Sequence, residues 1–134
     1  MSETTSPHVL MADLVEQVRK QFPHGHPAFL PITMAEAALH SNKNHDYAKG
    51  GPSLGNFERV AAILKMYPGL DLSDQKVVAL VYALKQLDAV LWGLSSKIKH
   101  KVEGLSDRLQ DISVYAKIVM CMISDEADET RGNR

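Results

Sequence analysis

Hydrophobic positions recur along this chain with a helical period. From Val9 onward Leu10, Leu14, Val15, Val18 and Phe22 fall on one face and predict a first helix of about four turns, ended by Pro23. Residues 23–31 hold three prolines and read as irregular, because proline lacks an N–H and biases the residue before it toward extended geometry. Thr33 with Glu36 forms a capping-box pattern and predicts the start of a second helix, running through about Ser41. Residues 42–52 are polar, with two glycines and a proline, and read as a long turn. A third helix is expected from about Ser53, with Leu54, Phe57, Val60, Ala61 and Leu64 on one face, ending at Pro68 and Gly69.

Ser73 is the expected N-cap of a fourth helix, where Asp74 suits the positive end of the dipole. Its apolar set is Val77, Val78, Leu80, Val81, Leu84, Leu87, Val90, Leu91 and Leu94. These residues cover most of the circumference, which predicts the central and most buried element. The β-branched run at 77–81 would also suit a strand, but about five turns of continuous pattern exceed strand length. Full burial of the nine aliphatics would contribute on the order of 15–25 kcal/mol before entropy is charged. A fifth helix begins near Leu105, with Leu109, Ile112, Ala116, Val119, Met120 and Ile123 as its buried stripe. The expectation is an all-α, single-domain antiparallel bundle of about five helices, the fourth and fifth forming a hairpin. Residues 1–7 read as a loose leader, 8–124 as the domain and 125–134 as a frayed acidic and polar tail.

Composition narrows the function only a little. The chain has 134 residues, 45% of them hydrophobic, which suits one globular core. Fifteen basic against sixteen acidic residues give a net charge of −1, so general nucleic-acid binding is not expected. A signal peptide and a continuous apolar run of membrane-spanning length are both missing, so the expected location is the cytoplasm with no membrane partner. The lone Cys121, among Val119, Met120, Met122 and Ile123, reads as a buried, inert thiol. The six histidines lack the spacing of a zinc site.

Candidate chemistry concentrates in three places. Lys43, Asp46, Tyr47 and Lys49, followed by Asn56, place donors, a carboxylate and two lysines before a helix N-terminus, which suits an anion such as phosphate. A solvated turn is the simpler alternative. On the fourth helix Lys85, Asp88 and Trp92 share one stripe, so the two charges must be paired or face a polar cavity. On the fifth, Arg108, Asp111 and Tyr115 do the same, and Asp107 with Asp111 lies one turn apart. Carboxylates such as Asp88 and Asp111 could hold Mg²⁺ together with substrate phosphates.

These residues resemble a family. Lys43-Asn44-x-Asp46-Tyr47, Asn56-Phe57, Leu84-Lys85-x-x-Asp88 and Asp107-Arg108-x-x-Asp111-Ile112-x-x-Tyr115-Ala116 are similar to motifs of the nucleotide-modification-associated domain family, small helical proteins encoded mainly by bacteriophages. The resemblance spans about residues 33–123. A more distant likeness is to the all-α nucleotide pyrophosphohydrolases, although their E-E-x-x-E motif is missing from this chain. The resemblance implies a nucleotide-binding protein of the host-cell cytoplasm that sequesters or senses its ligand. Lys43, Lys49, Lys85 and Arg108 would then meet phosphate, with Tyr47 or Trp92 stacked on a base. The alternatives are a phage accessory module docking a host protein and a Mg²⁺-dependent nucleotide hydrolase using Asp88 and Asp111, with Asp46 as base. A homo-oligomer is also expected, from apolar surface left over on the first helix around Leu14, Val15, Val18 and Phe22.

Overall fold

The computed structural model describes residues 7–48, 51–97, 99 and 104–132, so Lys49 and the leader residues 1–6 lie outside the described residues. Among those described there are five α-helices and no strand, and the chain is all-α. The helices are α1 (Pro7–Gln21), α2 (Phe29–Ala48), α3 (Gly55–Lys65), α4 (Gln75–Ser96) and α5 (Leu105–Gly132). Contacts group the chain into two compact units, Met1–Asn42 and Lys43–Arg134.

In the first unit α1 opens on Pro7, a position where a missing N–H costs nothing. Val15 is buried. α2 begins four residues before the expected cap. Pro31 falls in its first turn, where amide groups have no intrahelical partner to lose, so the proline is tolerated. Thr33 is therefore inside the helix, and its hydroxyl donates to the Phe29 carbonyl (2.9 Å) instead of capping. A recess of about 400 Å³ lies between α1 and α2, lined by Val18, Phe22, Phe29, Leu30 and Met34 among others.

Three boundaries in the second unit also differ from expectation. The polar segment 43–48 is not a turn but the end of α2. The cap of α4 is Asp74, whose carboxylate accepts from the Lys76 amide at 2.9 Å, while the Ser73 hydroxyl donates to Asp71. The 125–132 segment is helical, and Glu126 pairs with Lys76 across the hairpin.

The α4–α5 hairpin is the main packing unit of this part of the chain. Lys76 meets Glu126, Tyr82 meets Tyr115 edge-on at 5.9 Å, and Gln86 meets Asp111, so the two helices run antiparallel. The burial pattern overturns the expectation for α4. Of its nine large aliphatics only Val90 is buried, whereas Leu80, Leu87, Leu91 and Leu94 are 40–60% exposed. Buried instead are Ala79, Gln86, Asp88, Ala89 and Gly93. The reason is geometric. Apolar residues surround α4 almost completely, so hydrophobicity could not choose a face. The small residues do, because interaxial distance depends on side-chain size at the contact. α5 likewise buries Arg108 and Val119 and leaves Leu109, Met120 and Ile123 exposed. Cys121 is exposed, not buried: two positions on from Val119 it sits about 200° around the helix.

α4 is also the described helix whose length and composition would suit a membrane span. Gln86 and Asp88 instead direct polar groups into α5 and α3.

Candidate functional site

The last turns of α2 deliver Asp46 and Tyr47 to the α4–α5 hairpin. Asp46 is fully buried and Arg108 is 1% exposed, which makes them the largest wholly enclosed side chains among the described residues. Charged groups are seldom enclosed without partners, since the desolvation cost is several kcal/mol per ion. Here the partners are present. Arg108 Nη1 donates to the Tyr47 hydroxyl (2.8 Å) and to Gln86 Oε1 (2.9 Å), and Nη2 lies 3.6 Å from Asp46 Oδ2. His45 Nδ1 stands 3.1 Å from the other Asp46 oxygen. Gln86 then passes the network on, its amide donating to Asp111 Oδ2 at 3.0 Å.

A second ion pair joins α3 to α4. Arg59 grips Asp88 with two parallel hydrogen bonds, Nε to Oδ1 at 2.7 Å and Nη2 to Oδ2 at 2.9 Å. This forked arrangement is the strong form of the arginine–carboxylate pair. The hydrogen bond to Asp88 raises the guanidinium pKa further above its ordinary value, against the opposing effect of burial. Arg59 Nη2 also donates to the Tyr47 carbonyl (3.3 Å), placing a cation on the negative end of α2. Its planar group lies 4.3 Å over the Trp92 ring. Gly51 comes so close to that ring that a Cβ there would stand 3.0 Å from two of its carbons. Trp92 Nε1 is buried, and it has no hydrogen-bond partner among the described residues.

Tyr47 is the focus of the cations. Arg108 Cζ lies 4.7 Å and Lys85 Nζ 5.6 Å from its ring centroid, and Arg59 sits on its carbonyl. Lys85 is exposed, and it makes no ion pair among the described residues.

The structure thus brings together Asp46, Tyr47, Lys85, Arg108 and Asp111 through Tyr47 and Gln86, and joins Asp88 and Trp92 to them through Arg59. Lys43 is exposed and Asn56 half-buried, and neither joins the network; the side chain reaching α3's approach is Asn44, donating to the Ser53 carbonyl at 2.7 Å. Tyr115 packs on Tyr82 instead. Asp107 accepts from the Gly104 amide at the start of α5, the simple role open to an acid there. As for Mg²⁺, both Asp88 oxygens are taken by Arg59, Asp111 turns to Gln86, and no group of three or more acidic, histidine or cysteine ligands occurs among the described residues.

Sequence reasoning missed Arg59 and Gln86. Arg59, beside Glu58, reads as an ordinary solvated charge, and its partner lies 29 residues away. Gln86 carried a usable signal. It falls in line with Ala79, Ala83, Val90 and Gly93 at alternating spacings of four and three, a small-residue stripe where a partner helix can come close.

No protein-family model, curated protein or solved structure matches the chain, so the function rests on this geometry.

Proposed function

We propose that the chain is a binding module for a small phosphate-bearing ligand, with nucleotides the class implied by its family resemblance. The observation that carries this reading is the gathering of Arg59, Arg108 and Lys85 around one tyrosine, Tyr47. Two of these cations are fixed by carboxylates, and Lys85 stands at the exposed side, unpaired among the described residues. A fixed cationic layer behind an exposed ammonium suits a phosphate group: Arg59 and the enclosed Arg108 add positive field from behind, and Lys85 is the donor that meets the ligand.

The geometry changes the expected roles of the aromatic rings. Arg59 covers Trp92, and Arg108 and Lys85 cover Tyr47, so the rings serve to hold cations and not to stack on a base. Binding without turnover ranks above hydrolysis, because the two carboxylates a metal would need are committed to Arg59 and Gln86.

Titration calorimetry with nucleoside mono-, di- and triphosphates, inorganic phosphate and a bare nucleoside tests the reading. Binding should require phosphate and weaken about tenfold in Lys85→Ala, the loss expected of one charged contact. Heat from none of the phosphates, or equal binding of the bare nucleoside, would remove it.

A further inference from the structure

Val77, Leu80, Leu84, Leu87, Leu91 and Leu94 repeat at spacings of three and four along α4. That is the heptad seam of a left-handed helix pair, which keeps one stripe facing a partner. The seam does not face α5, which lies against the stripe of Ala79, Gln86 and Gly93. Its C-terminal half is a ridge: Leu87, Leu91 and Leu94 are 40%, 56% and 60% exposed. Its N-terminal half is a groove of about 260 Å³, where Ile63, Leu64, Tyr67 and Leu70 share the lining with Val77, Leu80, Val81 and Leu84.

We infer that this face joins two copies of the chain in an antiparallel, two-fold symmetric dimer. A two-fold axis crossing α4 between Leu84 and Leu87 sets Val77 against the partner's Leu94, Leu80 against the partner's Leu91 and Leu84 against the partner's Leu87. Every seam residue then meets an aliphatic side chain, and each copy's ridge enters the other's groove. A face that is half ridge and half groove is complementary to itself only in this sense, as an isologous contact requires. The size also fits. The four exposed leucines, with Tyr67 and Leu70 at 59% and 41% exposed, present on the order of 600 Å², about three-quarters of the ~800 Å² each partner gives a stable interface. The charges at the seam's edges are already paired, Lys76 with Asp74 and Glu126, and Asp88 with Arg59.

Light scattering coupled to size exclusion, on the full chain under reducing conditions that keep Cys121 from cross-linking, should give twice the 14.8 kDa of one chain. Leu91→Glu should raise the dimer dissociation constant by about 30-fold or more. Met120→Glu, at a still more exposed apolar position on α5, should leave it unchanged. If Leu91→Glu loses its helical circular dichroism, Leu91→Ala is read instead and should weaken the dimer by at least about tenfold. A monomeric parent overturns the inference, as does a dimer indifferent to residue 91. A parent that stays monomeric and floats with neutral lipid vesicles overturns it in favour of a membrane contact.

Discussion

α4 carries two seams, side by side and with the same spacing, that have opposite chemistry. The inner one, Ala79, Ala83, Gln86, Val90 and Gly93, is small and partly polar and lies against α5. The outer one, from Val77 to Leu94, is aliphatic and largely exposed. Burial inside the second unit therefore follows size and hydrogen bonding more closely than hydrophobicity. An all-leucine inner seam would have gained more transfer free energy and held α5 further off, leaving no room for Arg108 to reach Gln86, Tyr47 and Asp46. A buried ion pair is weak evidence for stability, since packed apolar residues of the same volume often do as well. Its retention here fits the proposed phosphate site, which the pair would back with fixed positive charge.

The sharpest way to break this comparison is to remove the centre of the inner side. Arg108→Ala withdraws a cation from the fully enclosed Asp46 and two hydrogen bonds from Tyr47 and Gln86. It should cost about 3–5 kcal/mol in urea unfolding. The double variant Asp46→Asn with Arg108→Met should recover part of that loss, because the stranded charge disappears with its partner. A loss under about 1 kcal/mol would mean that the pair is solvated in practice and that the inner seam is not a buried polar site.

Size at the two seams gives the next contrast. Ala79, on the inner seam, is only 7% exposed, and Ala79→Leu should destabilise by about 1–3 kcal/mol through overpacking. Leu94→Ala, at a side chain 60% exposed, should change the stability of the dilute chain by about 0.5 kcal/mol or less. Reversal of that order would make the outer seam the true core.

Much of the fold was legible from periodicity, and the site was legible only in part. The 3.6-residue pattern located five helices and the α4–α5 hairpin, because apolar spacing and length suffice for that. The end of α2 was not legible. Residues 43–48 look like a turn by polarity, yet they are helical because Asp46 and Tyr47 are satisfied from α5 and Arg59 caps the Tyr47 carbonyl. Those partners lie far along the chain, and local propensity says nothing of them. The charged stripes on α4 and α5 pointed to a pocket because charges on apolar helices need partners, and Lys85, Asp88, Arg108 and Asp111 do come near Tyr47 or its neighbours. Which face of α4 would be buried was illegible, since its hydrophobicity is nearly the same all round.

Arg59 tests the link between the outer and inner parts of the site. Its side chain is about a third exposed, so solvent screens part of its pairing with Asp88. Arg59→Ala should cost about 1–3 kcal/mol, the range for leaving a largely buried carboxylate short of donors. The change should also alter Trp92 fluorescence, because the guanidinium leaves the ring. Arg59→Lys should restore little of the stability, as an ammonium cannot form the forked pair or lie flat on the indole. Full rescue by lysine would show that only the charge matters.

The smallest effect separates a buried carboxylate from an exposed one. Asp71, in the turn before α4, accepts from the Ser73 hydroxyl at 2.6 Å and from the Ser73 amide at 2.9 Å. These bonds, the hydroxyl first, hold its pKa below the ordinary carboxylate value. The folded value is the lower one, so the contribution of Asp71 to stability is present above the unfolded pKa of about 3.9 and is lost as pH falls through the folded one. Ser73→Ala removes the larger cause and keeps the amide. In an NMR titration the Asp71 midpoint should therefore move up toward the ordinary value without reaching it. An unmoved midpoint would mean that the hydroxyl bond is exchanged for water at no cost. The turn would then hold its shape through the backbone alone, and the contrast with the enclosed Asp46 would rest on burial and not on hydrogen bonding.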